Sequence, residues 1–192
     1  MVNSSGIRER EVKLTPFGSG IEGREMRKIF VTTVVVASMV AGLGGASAAT
    51  VKLTTAQKTE LKYLVEEEKL ARDVYNYLAE NVTSQKFSNI AKSEQSHMDN
   101  ISALLKKYNV FNPTTNRAPG VFKNTELQKL YNDLIAEGSA SVAAAFGVGV
   151  KIEKLDIADL KKMQSAKNPA DMEAAIALLI KGSENHLAAF SR

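Results

Sequence analysis

The segment SEQSHMDNI, residues 93–101, places two groups that bind metal ions or protons on the apolar face of a predicted helix. Apolar residues recur on both sides of this segment at helical spacing and define that face. Glu94 and His97 are three residues apart, so both lie on the same face and are predicted to be buried. A buried charge without a partner costs several kcal/mol, and it therefore needs an opposite charge or a metal ion.

Three other predicted helices carry similar residues on their apolar faces. Glu68 lies on the apolar face of the first helix. Glu153 and Asp156 share the apolar face of a later helix, one turn apart, and His186 lies on that of the last helix. The chain has only two histidines, and both fall on apolar faces.

The inward-facing set contains four carboxylates and two imidazoles, contributed by four helices: Glu68, Glu94, His97, Glu153, Asp156 and His186. Arg72 is the one cation that falls close to these faces in the sequence pattern. Two divalent metal ions would supply the missing positive charge, and oxygen and nitrogen ligands suit iron, manganese or zinc. Arg72 and Tyr75 are predicted to hold the ligand carboxylates in place by hydrogen bonds.

Each of these residues also has an ordinary structural explanation. A histidine on an apolar face can be a hydrogen-bonded core residue, and a carboxylate there can pair with Arg72 or with a lysine. Arg72 and Tyr75 serve equally well in salt bridging and packing. Glu66 and Glu67 fall outside the apolar face of their helix and are predicted to be solvated. The size of the inward-facing set favours metal binding over separate structural roles.

Five helices are predicted to position these residues, at about 54–81, 85–108, 125–137, 141–163 and 169–190. Thr54 and Gln57 form a capping box at the start of the first helix. Gly138 is predicted to be the C-cap of the third helix. Asn168 and Pro169 are predicted to be the N-cap and first residue of the fifth helix.

A long connection joins the second and third of the four long predicted helices. Pro113, Pro119 and Gly120 keep its first part irregular, and the short helix follows. One long crossover in a four-helix bundle is the ferritin-like connectivity. The predicted fold is therefore all-α: a ferritin-like four-helix bundle with a long crossover that carries a short extra helix.

The N-terminal residues indicate export. Residues 26–48 combine a basic start, an apolar run and small residues at Ala46 and Ala48, which is typical of a secretory signal peptide. Residues 1–25 are interpreted as an extension from an upstream start codon, or alternatively as a long basic region of the signal. The apolar run, 29–43, is 15 residues long, shorter than a membrane span. The prediction is a periplasmic or extracellular domain, residues 53–190, with no stable membrane span after cleavage; a retained anchor is the alternative.

Composition narrows the classes of partner. Six of the 25 basic and four of the 21 acidic residues precede position 49, which leaves a net charge of +2. This near-neutral balance without a basic run argues against a nucleic-acid partner. The absence of cysteine excludes thiolate metal sites and a built-in rubredoxin-type centre. A redox-active centre in this chain would therefore need an external electron donor.

Two helices resemble the ligand helices of rubrerythrins. EKLARDVYNYLA, which begins at Glu68, is similar to the first, and IAKSEQSHM, with Glu94 and His97 in Glu-x-x-His spacing, is similar to the second. The last helix departs from that pattern, because Ser183 stands where the glutamate before His186 is expected. Asp156 is predicted to restore the carboxylate count, whereas the neighbouring Glu184 faces away from His186.

Successive blocks of the chain resemble the family called domain of unknown function 2202. These blocks are EEEKLARDVY, IAKSEQSHMDNI, LQKLYNDLIAEGS, VGVKIEKLDIADL and GSENHLAAF, within about residues 53–190. Members of that family are regarded as ferritin-like, so the resemblance implies a fold and a metal site but no established reaction.

The preferred interpretation is an exported ferritin-like protein with two divalent metal ions, iron before manganese or zinc. Such a centre would act as an oxidase- or peroxidase-type oxidoreductase on oxygen or peroxide. The alternative is a secreted helical binding or structural protein with one metal ion or none. Iron storage would require a homo-oligomeric cage, and the sequence leaves assembly open.

Overall fold

All regular secondary structure in the computed structural model, which describes residues 51–192, is helical. Five helices follow one another, and the described residues contain no strand. The helices are α1 Thr55–Asn81, α2 Gln85–Lys107, α3 Thr125–Gly138, α4 Val142–Gln164 and α5 Ala170–Phe190. The prediction of an all-α fold is confirmed for this part of the chain.

The predicted signal peptide, residues 26–48, and the predicted extension, residues 1–25, lie outside the described residues. Among the helices of residues 51–192, none has the length and apolar character needed to cross a membrane.

The start of α1 follows the predicted capping box. The Gln57 backbone N–H donates to Thr54 Oγ1 at 3.2 Å, and the Thr54 N–H donates to Gln57 Oε1 at 2.9 Å. The start of α5 differs from the prediction, because Pro169 and not Asn168 is its N-cap. The Asn168 side chain instead donates to the Met163 carbonyl oxygen at 2.8 Å, which ties the end of α4 to the start of α5.

Gly138 does not have its predicted role at the end of α3. It is the last helical residue, and the C-cap is Ser139 with a right-handed φ of −74°. Packing favours the glycine: a Cβ atom at position 138 would lie 2.8 Å from Leu78 Cδ2, so the leucine would have to shift. Gly138 therefore allows α3 to approach α1 closely.

The four long helices contact one another in a closed cycle, α1 with α2, α2 with α5, α5 with α4, and α4 with α1. Neighbours run antiparallel. Tyr75 and Phe87 pack together near one end of the α1–α2 pair, and Glu68 meets His97 further along. Because α1 is antiparallel to both α2 and α4, the helices α2 and α4 run in the same direction.

The core has two apolar clusters with polar residues between them. An aromatic cluster includes Tyr75, Phe87 and Phe190, and an aliphatic cluster includes Leu61 and Leu105. On each long helix a set of buried polar residues lies between the residues of the two clusters. These residues form the polar level: Glu68 on α1, Glu94 and His97 on α2, Glu153 and Asp156 on α4, Ser183 and His186 on α5.

The long connection between α2 and α4 is fastened to α1. Lys69 Nζ donates to the Ala118 carbonyl oxygen at 2.9 Å, and Asp73 Oδ2 accepts from the Gly120 N–H at 2.9 Å. Lys69 and Asp73 also form a buried ion pair. These contacts bury a second side of α1, where the connection packs against it.

The prediction that Glu66 and Glu67 are solvated is wrong. Their exposed fractions are 4% and 7%, because α1 is covered by α2, α3, α4 and the connection rather than on one face alone. Glu66 Oε1 accepts the Asn124 N–H at 3.2 Å and so anchors the start of α3. Glu67 makes no such contact through its Oε2 atom, which is buried and without a hydrogen-bond partner.

Candidate metal centre

Two groups of potential ligands meet in the polar level. The first triad consists of Glu68, Glu94 and His97, and the second of Glu94, Glu153 and His186. Within each triad the ligand atoms lie within 4.8 Å of one another. Every member is at most 8% exposed. The structure therefore brings together residues from all four long helices, with Glu94 common to both triads.

The two oxygens of Glu94 face different triads. Oε2 lies 2.8 Å from His97 Nδ1, and Oε1 lies 2.8 Å from His186 Nδ1. The second pair is close but not aligned as a hydrogen bond, and both of its atoms are buried without any hydrogen-bond partner. Buried polar atoms without partners require an explanation, and a cation between these two atoms would provide one.

The first triad is closed by Glu68. Its Oε2 atom lies 3.2 Å from His97 Nδ1, whereas its Oε1 atom is buried without a partner. The rings of His97 and His186 stack across the centre, with centroids 5.5 Å apart. Both imidazoles thus direct Nδ1 towards carboxylate oxygens, and each triad offers oxygen and nitrogen ligands suited to iron, manganese or zinc.

Hydrogen bonds from outside the triads orient two of the potential ligands. The Tyr75 hydroxyl donates to Glu153 Oε1 at 2.7 Å. His186 Nε2 lies 2.9 Å from Ser93 Oγ, which fixes the ring with Nδ1 inward. Contacts of this kind set the orientation and basicity of metal ligands. The sequence predicts this role for Tyr75 but not for Ser93. A serine next to Glu94 on a helix does not indicate which residue of another helix it contacts.

Arg72 does not contact any carboxylate of the two triads. Its guanidinium donates to Asp73 Oδ1, at 2.7 Å from Nη2, and to the side-chain oxygen of Gln95. The structure therefore places it outside the centre, where it joins α1 to α2 beside the buried Lys69–Asp73 pair.

Asp156 lies next to the triads and belongs to neither. Its Oδ2 atom accepts from Ser183 Oγ at 2.5 Å, and its Oδ1 atom is buried without a partner. Ser183 thus occupies the position where a glutamate was expected and orients the aspartate of α4 instead. Glu184 is exposed and lies 3.0 Å from Lys161 Nζ.

Comparison with known proteins places the chain in a family. Residues 57–192 match the family model described as "Uncharacterized protein domain (DUF2202)". The chain belongs to this family. It is 46% identical over 136 residues to "Uncharacterized protein MJ0754" of Methanocaldococcus jannaschii, covering 71% of this chain and 74% of that protein. The crystal structure of hypothetical protein MJ0754 is similar, with a TM-score of 0.71 and 44% identity over 73% of this chain and 80% of that chain.

Burial dominates the titration of three carboxyl groups in this DUF2202 chain. It raises the pKa of Glu68 to about 8 and that of Glu153 to about 7. Burial and the neighbouring Glu68 charge raise the pKa of Asp156 well above its usual range. Without a metal ion, these groups therefore favour the protonated form near neutral pH.

Glu94 and the two histidines favour their charged forms, because they pair with one another. Burial alone would raise the pKa of Glu94, but His186 and His97 outweigh it and lower this pKa to about 2. Burial acts to lower the pKa of His97, but Glu68 and Glu94 raise it to about 10. Glu153 and Glu94 likewise raise the pKa of His186 to about 9 against the effect of burial. Metal ions that bind here must displace protons from these groups.

The absence of a side chain at position 182 makes room for His97. A Cβ atom there would lie 2.7 Å from His97 Cε1 and closer still to Nε2. We expect Gly182→Ala to displace the imidazole and to weaken metal binding by about 10- to 100-fold, as loss of ligand orientation does. Metal titration against a competing chelator measures this change.

Gly147→Ala is the matched control for this prediction. Gly147 is also helical, but a Cβ atom there meets nothing within 4 Å. We expect this variant to keep the affinity of the wild type and to be stabilised by up to about 1 kcal/mol from helix propensity. Equal metal affinity in the two variants would contradict a ligand role for His97.

Proposed function

We propose that this chain is an exported ferritin-like protein whose polar level holds two divalent metal ions, with iron as the preferred metal. The observation that carries the proposal is the position of Glu94, whose two oxygens each face a separate triad. A carboxylate in this position can bridge two cations. The unpartnered atoms Glu68 Oε1, Glu94 Oε1 and His186 Nδ1 are the further support.

The connectivity supports the ferritin-like part of the proposal. Because α2 and α4 run in the same direction, the chain must return along the length of the molecule between them, and α3 lies in that connection. One long crossover in a four-helix bundle distinguishes ferritin-like folds from simple up-and-down bundles. The resemblance of α1 and α2 to the ligand helices of rubrerythrins points the same way.

The ligand set supports iron, manganese or zinc over other cations. Each triad combines two carboxylates with one imidazole, and the chain has no cysteine. Such mixed oxygen and nitrogen sets suit these three metals. Asp156, held by Ser183, is the nearest further carboxylate and would complete the ligand set from α4.

A di-iron centre in this position would supply reactivity towards oxygen or peroxide. The residues of the chain would set the conditions for it. Tyr75 and Ser93 hold Glu153 and His186 in fixed orientations, and the aromatic and aliphatic clusters exclude water on both sides. Electrons must come from a separate donor, since the chain has no cysteine for a second iron centre of the rubredoxin type.

A secreted structural or binding protein without metal is the second candidate. The favouring observation is that the polar level can also be satisfied by protons, with two imidazolium rings around the ionised Glu94. In that case the histidines would contribute to folding and not to chemistry.

Metal analysis distinguishes the two candidates. We expect protein purified from its native compartment to contain about two metal ions per chain, one for each triad. His97→Ala should lose metal, whereas Glu184→Gln, which alters an exposed carboxylate outside the triads, should retain it. Iron-loaded protein supplied with a chemical reductant should then consume oxygen or hydrogen peroxide. Metal-free protein from every preparation, with no uptake of Fe(II), Mn(II) or Zn(II), would overturn the proposal.

A further inference from the structure

Glu67 is a buried carboxylate that the metal centre does not use. It precedes Glu68 on α1 and is 7% exposed, and its Oε2 atom has no hydrogen-bond partner. It belongs to neither triad. A buried carboxylate oxygen without a partner destabilises the protein, so the presence of this one calls for a functional explanation.

The neighbours of Glu67 connect the centre with the protein surface. Tyr75 of α1 donates to Glu153 of the antiparallel α4, so Glu67, about two turns before Tyr75, lies at the level of Asp156 and Asp159. The charges of both aspartates also act to raise the pKa of Glu67, in addition to the effect of its burial. Asp156 is buried beside the triads, and its Oδ1 atom also lacks a partner. Asp159 is partly exposed. Glu67 therefore lies between a carboxylate of the centre and a carboxylate of the surface.

The spacing on α4 explains this alignment. Glu153, Asp156 and Asp159 are each three residues apart, so they follow one another along one side of the helix. Their exposure increases along this row, from 1% at Glu153 and 5% at Asp156 to partial exposure at Asp159. Glu67 joins the row from α1, between Asp156 and Asp159.

Asp159 opens onto an acidic depression in the surface. The depression has a volume of about 380 Å³, and its acidic lining residues are Glu60, Glu126 and Asp159, with Tyr63 between them. Lys162 is the one basic residue in the lining. The excess of negative charge concentrates cations at this opening.

We propose that this row of carboxylates is the uptake route for the divalent metal ions of the centre, with Glu67 as the ligand that each ion binds in transit. The proposal rests on the proposed function, because a route is needed only if the polar level holds metal. A cation would enter the acidic depression, pass from Asp159 to Glu67, and reach Glu68 and Glu153 through Asp156. Carboxylate oxygens suit each of these steps, since they bind divalent cations and exchange them.

The rate of metal uptake tests the route. Apoprotein is mixed rapidly with Co(II), and visible absorption is followed as the ion reaches the centre. We expect Glu67→Gln to slow loading by at least about tenfold, the scale by which acidic clefts accelerate cation binding. The final stoichiometry should equal that of the wild type, because Glu67 is in neither triad.

Two further variants make the test specific. Glu67→Asp keeps the carboxylate and should load faster than Glu67→Gln. Glu80→Gln removes the same charge from an exposed position of α1 and should load at the rate of the wild type. Circular dichroism melts of all variants with chelator check that each is folded.

The outcomes separate the two proposals. Equal loading rates in the wild type and Glu67→Gln would overturn the route and leave the metal centre intact. A lower final stoichiometry in Glu67→Gln would also overturn it, because Glu67 would then be a resident ligand. Equally slow loading in Glu67→Gln and Glu67→Asp would assign the effect to packing instead of charge. A wild type that takes up no Co(II) would overturn the metal centre and the route together.

Discussion

Glu94→Gln will lose both metal ions from the centre, whereas Glu153→Gln will lose one. The reason is the shared position of Glu94, since its Oε2 atom belongs to the first triad and its Oε1 atom to the second. Glutamine has the same shape but cannot offer two anionic oxygens. Glu153 belongs to the second triad alone, so its replacement leaves Glu68, Glu94 and His97 in place.

The two substitutions are matched in their chemical change and in burial. Both change a glutamate that is 1% exposed to its amide. Metal content after loading with Fe(II) or Zn(II) and removal of unbound metal measures the difference, with circular dichroism to confirm folding. Glu94→Gln should also destabilise the metal-free protein by about 3–5 kcal/mol, because it leaves two imidazoles without their common partner. A Glu94→Gln variant that keeps as much metal as Glu153→Gln would exclude a bridging role.

The helical periodicity was sufficient to find the polar level. A residue on the apolar face of a helix is buried whatever its partners are, so Glu94 and His97 could be assigned to the interior from spacing alone. The same argument applies to Glu153 and His186, and all four are buried. Because this inference needs one helix at a time, it does not depend on how the helices are arranged.

Contacts across helices were not predictable in this way. The hydrogen bond between Ser93 and His186, and the close approach of Gly182 to His97, depend on the rotation of α5 relative to α2. Arg72 was expected beside the ligands from its offset on α1, but the rotation of that helix directs it to Asp73 instead. Which residue each of these side chains contacts can therefore be known only from the packed structure.

The burial of Glu66 and Glu67 was missed for a related reason. The periodicity of α1 predicts one buried face and one solvated face, as on a surface helix. The connection before α3 covers the second face, through Lys69, Asp73 and Glu66. An irregular segment has no periodicity, so its docking site could not be read from the sequence.

The second large effect concerns pH: the chelated protein should lose thermal stability as the pH rises from about 5 to about 9. The folded-state pKa of Glu68 is raised from 4.5 to about 8, so its contribution to stability is fully present below 4.5 and is lost as the pH rises through 8. For His97, raised from 6.5 to about 10, stability is fully present below 6.5 and is lost as the pH rises through 10. Glu153 and His186 act in the same direction.

Glu94 sets the acid limit of this stability. Its pKa is lowered from 4.5 to about 2, so its contribution is present above 4.5 and is lost as the pH falls through 2. The two effects together place the greatest stability of the metal-free protein at about pH 5. Above that pH, each proton that the folded state binds beyond those bound by the unfolded state lowers the free energy of unfolding by about 1.4 kcal/mol per pH unit. This corresponds to about 4 °C in Tm.

Bound metal reverses the trend, because metal ligands must be deprotonated and protons compete with the metal less as the pH rises. A metal at a thousandfold excess over its Kd adds about 4 kcal/mol to the free energy of unfolding. Thermal melts between about pH 5 and about pH 9, with chelator and with Fe(II), Mn(II) or Zn(II), should therefore show a Tm difference between metal-bound and metal-free protein that widens with pH.

Glu68→Gln, which removes one of the protonated groups, should make the Tm of the chelated protein fall less steeply with pH. A chelated wild type that is more stable at the alkaline end, or a Tm difference independent of pH, would mean that protons and metal do not compete for these residues.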